Sequence, residues 1–227
     1  MTMRYQLTVL AVIAGLSHSG VVTAQTAGSV AVLPLENAGS YGRDKEEFEA
    51  LRRGLAATLA GELGAAGITV IDRDRVQRLV DTETTAEKID LATAAKIGRG
   101  LGSRFVVVAS FIDLYGDFRI DANLVDVQSG EVIKVVRSDP KLSDQRQMFH
   151  SVQSVAHRLA ETIQPGTRAP ANRTRNVPSE ALGLFSRALF YADKGDRARA
   201  IDFLNRALKS YPGYSEAQAE LKRIQGA

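Results

Sequence analysis

The sequence predicts an α/β protein: a mixed β-sheet packed by helices, followed by a small all-α unit. Three observations carry that prediction. β-Branched runs that read as strands alternate with stretches whose apolar residues recur every three or four positions. Three of the strand-like runs are consecutive and are joined by hairpin-sized connections. A segment rich in proline and arginine then divides this pattern from a purely helical carboxy-terminal stretch. The 227 residues are 44% hydrophobic and 24% charged, enough apolar surface for real cores, which argues against disorder of the whole chain.

Residues 1–24 read as a signal peptide. Arg4 precedes an apolar run from Leu7 to Leu16, and Val22 and Ala24 occupy small-residue positions before a cut ahead of Gln25. That run is short of the ~20 residues a spanning helix needs, and no later segment reaches that length, so no transmembrane helix is expected. Leu16 stands where the lipidated cysteine of a lipoprotein signal would stand, and the chain has no cysteine at all. The expectation is therefore a soluble, exported, periplasmic protein, reaching the outer membrane only through partners. Disulfides, thiol catalysis and zinc thiolates are excluded. With 29 Lys and Arg against 26 Asp and Glu, and only Arg4 among these in the leader, the mature charge is about +2. No basic stripe is interleaved with aromatics, so no nucleic-acid partner is expected.

The run Ser29 to Leu35 reads as a buried strand ending near Pro34. Asp44 starts a helix that aligns Phe48, Leu51, Leu55, Leu59 and Leu63 on one face and ends at Gly67. Ile68 to Asp72 reads as a second short strand. Asp74 to Asp81 and Leu91 to Gly102 follow as helices, the latter closed by glycines. Arg104–Ile112, Phe118–Val127 and Glu131–Ser138 are the three consecutive strands, with "DLYGD" and "QSG" between them. A helix from about Gln145 to Ile163, burying Phe149, Val152, Ala156, Leu159 and Ile163, closes an α/β domain of residues 25–163.

Residues 164–178 form a linker stiffened by proline. Its Asn172-Arg173-Thr174 matches a glycosylation sequon and is read as linker polarity. Beyond it, residues 179–227 read as one tetratricopeptide unit plus a capping helix. Leu184, Ala188, Tyr191, Gly195, Ala200, Leu204, Ala207 and Pro212 occupy that repeat's packing, turn and terminator positions, and Ser215 with Gln218 forms a capping box. The first helix of the unit also presents a second apolar stripe, Leu182, Phe185 and Leu189, on the face that lines the groove of such repeats. Leaving it wet is costly, since each such side chain is worth roughly 1.5–3 kcal/mol when buried. It is a candidate partner-binding site, with docking on the chain's own α/β domain or self-association as the other two ways of covering it. As a partner site it predicts that Phe185→Glu harms partner binding more than folding.

Catalytic constellations are sparse. Gly98 to Gly102 ends a helix and precedes a strand, the reverse of a dinucleotide loop. His150 and His157 lie two turns apart without a third ligand. Asp113, Asp117, Asp121 and Asp126 fall at turns and on a polar strand face, without the pattern of a calcium loop. No serine elbow or His-Glu metalloprotease motif is present. The expectation is no enzyme, no cofactor and no metal.

"VAVLPLENAG", "ITVIDRDRVQRLV" and "DLATAAKIGRGLGSRFVVVASFID", in that order, resemble the CsgG family of curli assembly and transport components, with its relatives among penicillin-binding-protein activators and TolB-like amino-terminal domains. The Asp72-Arg73 pair and the stretch around Gly98, Leu101, Gly102 and Val106 are the strongest marks, and the resemblance covers residues 29 to 163. It implies a CsgG-like sheet packed by helices in an envelope protein that works through protein contacts, with no catalytic residues to carry over. The missing lipid cysteine and short hairpin connections depart from pore-forming members, whose membrane strands need ~10 residues each. The function expected is a non-enzymatic envelope adaptor in surface-polymer export or cell-wall assembly, binding envelope partners through the repeat and the α/β domain. The alternatives are a periplasmic sensor with a closed pocket near Asn37 to Asp44, and an oligomeric secretion component.

Overall fold

Proline cannot donate to a ladder, and Pro34 divides the first apolar run into two short strands, β1 (Val30–Val32) and β2 (Glu36–Asn37). In the computed structural model, which describes residues 28–42, 44–85, 88–115, 117–139, 147–167 and 175–226, both pair in parallel with the same long strand, β3 (Phe105–Leu114). The expected signal peptide, the sequon and residues 168–174 of the linker lie outside the described residues.

α1 (Lys45–Ala65) begins at Asp44, whose side chain accepts from Glu47 N at 2.7 Å. The expected strand at Ile68–Asp72 is reduced to a single parallel bridge between Val70 and Val30, because Asp72 turns to cap α2 (Arg73–Glu83), accepting from Arg75 N. α3 (Leu91–Leu101) is capped by Asp90 and stopped by Gly102, whose φ of 68° is the left-handed conformation that glycine adopts without cost. β3 then pairs antiparallel with β4 (Asp117–Asp126), and β4 with β5 (Val132–Arg137), giving the order β1-β3-β4-β5 with β2 extending the β1 side. α4 (Met148–Ile163) follows. The carboxy-terminal helices are α5 (Ser179–Asp193), α6 (Arg197–Ser210) and α7 (Ser215–Gly226).

Alternation along the strands separates two cores. Val107, Ala109, Phe111, Phe118, Ile120, Ala122, Leu124 and Val136 point to one side and pack with α1 and α4. Val106, Val127, Ala31 and Leu33 pack on the other side with Val76 and Val80 of α2 and Ala94, Ile97 and Leu101 of α3. Gly98 lets α3 come close: a Cβ there would stand 2.5 Å from Val106 and Val127 methyls. The fold is thus the mixed α/β sheet expected, with helices on both faces. None of the described helices is long and apolar enough to cross a membrane.

The first core does not stop at α1. It continues through Leu182, Phe185 and Leu189 of α5 to Leu204 of α6 and Tyr214 and Ile224 around α7. α1 makes this possible by having two packing faces. Its leucines meet the sheet and α4, while Gly54, Thr58 and Gly61 form a small-residue stripe against α5 and α7.

Candidate interaction surface

The stripe Leu182, Phe185 and Leu189 is at most 2% exposed and is covered by the small-residue face of α1. A Cβ on Gly54 would fall 1.7 Å from Ser186 Oγ, so α5 approaches there as closely as a bare Cα allows. Phe185 packs on Tyr214 with ring centroids 5.0 Å apart. The Tyr214 hydroxyl lies 3.4 Å from Thr58 Oγ1, and burial pushes its phenol well above the usual range. In this arrangement the three residues join the chain to itself, and a charge at Phe185 strikes a packed seam. Phe185 is 2% exposed, so Phe185→Glu, expected from the sequence to harm partner binding more than folding, places a carboxylate in an apolar seam and is expected to harm folding as well.

Ion pairs frame that seam. Arg175 bridges Glu62 of α1 and Glu216 of α7, the latter at 2.7 Å, and lies over the Phe149 ring. Asp193 at the end of α5 receives Arg53 of α1 at 3.0 Å and Arg73 of α2 at 2.8 Å. Arg187 reaches Glu47, the Tyr191 hydroxyl donates to Glu46 at 2.7 Å, and Arg223 of α7 pairs with Asp74 at 2.8 Å. Burial works to raise the Glu216 carboxyl, but the hydrogen bonds and charge of Arg175 outweigh it and hold the group below the ordinary carboxylate range. Arg73, half of the Asp72-Arg73 mark, therefore serves the structure by tying α2 to α5.

The residues considered for chemistry are kept apart. Asp113 and Asp117 sit at one end of the β3–β4 hairpin and Asp126 at the other, where it pairs with Arg104 and accepts from Gln128 N and Ser129 N. Asp121 lies between Arg119 and Arg137. His150 contacts Gln153, and His157 lies 3.6 Å from Glu161. The described residues contain no group of three or more His, Cys, Asp or Glu that would hold a metal. An open cleft of about 420 Å³ lies between β2 and the start of α1, floored by Phe48. Its charges are largely spent on one another, Arg52 with Glu49 at 3.0 Å and Lys88 with Glu36 at 3.6 Å.

Several of the apolar groups left in water lie on the sheet and its hairpin tip, with Leu91 of α3 a further one. α2 and α3 cover the part of the second face around Val106, Val108 and Val127. The rows across this face run Val108–Asn123–Val135 and Ser110–Asp121–Arg137, with Ile112 beside Arg119. Val135 is 55% exposed and Ile133 46%. At the hairpin tip Leu114 and Tyr115 are exposed beside Tyr41, and Tyr115 holds a φ of 53°, in the left-handed region. This face was not legible in the sequence because Val135 and Ile133 look like ordinary strand residues.

No family model matches the chain, and no curated protein sequence matches it. Among solved structures, that of LpoB from E. coli, determined by NMR, is 13% identical, covering 60% of this chain and 81% of that one with a TM-score of 0.37. The LpoB C-terminal domain from Escherichia coli is 19% identical over 52% of this chain and 84% of that one, TM-score 0.39. TolB from Acinetobacter baumannii is 16% identical over 63% of this chain but only 29% of its own, TM-score 0.37. At these identities and TM-scores, none of the three carries an argument about what this chain does.

Proposed function

We propose that this chain is a non-enzymatic, exported cell-envelope protein that acts by binding other proteins, and that its contact surface is the uncovered side of the β3–β4–β5 sheet. The observation that supports the reading is where apolar surface remains. The stripe on α5 is spent on α1, whereas Val135 and Ile133 of β5 and Leu114 and Tyr115 at the β3–β4 hairpin tip stay in water. The resemblance of residues 29 to 163 to CsgG-type proteins and penicillin-binding-protein activators favours a role in surface-polymer export or wall assembly. The α5–α7 unit is read as one tetratricopeptide repeat with its capping helix, and α1 stands in for the neighbouring repeats that such a unit needs. On this reading Leu182, Phe185 and Leu189 bind a partner only if α5 leaves α1.

The test is an in-envelope crosslinking pull-down of the tagged mature chain, comparing wild type with Ile133→Glu/Val135→Glu. A specific partner present with wild type and lost with the folded variant is expected. Equal recovery from both rules out the sheet face. A second reading, a small-ligand sensor, is favoured only by the cleft over Phe48.

A further inference from the structure

We infer that β5 is a strand-addition site for an extended peptide segment of a partner protein, one that carries acidic residues around an apolar one. The inference rests on the reading that the sheet side is the contact surface, and adds how the partner binds and what it is made of.

Antiparallel ladders turn alternate residues toward and away from the neighbouring strand. Ser138 N donates to Ile120 O, and the register continues with Val136 opposite Ala122 and Lys134 opposite Leu124. The main-chain groups of Lys134, Val136 and Ser138 are therefore directed at β4, and those of Val135 and Arg137 are directed outward. The outward direction is visible at Arg137, whose carbonyl oxygen accepts from Arg158 Nη1 of α4 at 2.7 Å. Among the described residues, no strand pairs with the outer side of β5. A solvent-facing edge of this kind is a template for an added strand, with main-chain bonds supplying affinity and alternate side chains supplying specificity.

The side chains state which segment fits. Val135 offers an apolar contact on the open face and Arg137 a cation beside it; Lys134 offers a second cation and Ile133 a second apolar contact. Arg158 and Arg119 add positive charge to the rim, Asp121 is held between Arg119 and Arg137, and Glu131 and Asp139 lie at the two ends. An antiparallel segment meets these positions in the order Arg137, Val136, Val135, Lys134; the β4–β5 register shifts at Leu124/Val125, and Ile133 falls in that irregularity. The complementary segment reads acidic, any residue, apolar, acidic. A second copy of the chain is the poorer occupant, because pairing β5 with itself crowds Lys134, Arg137 and Arg158 of both copies along one short ladder.

The probe is a displayed library of linear peptides of about ten residues, long enough to span the edge, selected on the full mature chain. Enriched sequences are expected to carry that four-residue pattern. Val135→Pro removes an outward N–H without touching the β4 ladder, a position where an edge strand tolerates proline. It is expected to weaken the selected peptides about tenfold or more, as for a lost buried hydrogen bond. Lys134→Glu/Arg137→Glu keeps the main chain intact and is expected to weaken them at least as much. Amide exchange at Val135 and Arg137 slows when the peptide binds wild type.

No enrichment, enrichment without that pattern, or binding unchanged by Val135→Pro overturns the inference. A wild-type dimer that Val135→Pro dissociates gives the edge to a second copy and overturns it too. If Ile133→Glu/Val135→Glu abolishes the envelope crosslinks while these peptide tests fail, only strand addition is wrong. If no sheet variant alters the crosslinks, the contact-surface reading itself has failed.

Discussion

Gly54 decides how the two parts of the chain meet. Its missing Cβ is filled by Ser186, which donates to Leu182 O at 2.7 Å and so keeps a polar group satisfied inside the seam. Gly54→Val is expected to cost about 1–3 kcal/mol by overpacking, read as a lower urea midpoint at unchanged slope. A neutral result would mean that α5 does not sit on α1 at this distance. The signal for this contact was present in "LRRGLAATLAGELG", where Gly54, Thr58 and Gly61 recur at spacings of four and three. The leucines on the adjacent face were legible by their hydropathy. The small residues were not, because smallness marks a packing face only when a partner helix is known to be there.

At the level of elements, the helices of the α/β part were legible wherever a terminal signal and an apolar period agreed, as at Asp44 with α1 and the closing glycines of α3. Ile68–Asp72 was less legible: its apolar run resembles a strand, but the ladder is cut short when Asp72 leaves to cap α2. Long-range ion pairs were not legible at all, since Arg175 finds Glu62 and Glu216 only after folding. These pairs make the seam sensitive to acid. The Glu216 carboxyl has a folded pKa below its ordinary value of 4.5, so its contribution is fully present above that value and is lost as pH falls through the lower folded one. The loss of stability between about pH 7 and about pH 3 is expected to be smaller in Glu216→Gln than in wild type, measured by urea denaturation at each pH. An identical loss in both removes Glu216 from the acid response.

For the whole molecule, one apolar cluster runs from the sheet through α1 to α7. The sequence showed a linker and suggested two units, yet the shared core predicts that both melt together. Calorimetry of the mature chain should give a single transition whose van't Hoff and calorimetric enthalpies agree, and two resolved transitions would mean that the helical unit is energetically separate. This coupling also assigns the two sides of the molecule. The helical side is spent on the chain's own cohesion, and on the proposed function the sheet side is the one that meets partners. A photo-crosslinking residue placed at position 135, with position 185 as its comparison, tests that division in the intact envelope. Adducts with another protein from position 135 and none from position 185 are the predicted outcome. Adducts from position 185 with none from position 135 would contradict it, moving the partner to α5 and requiring that the seam with α1 opens.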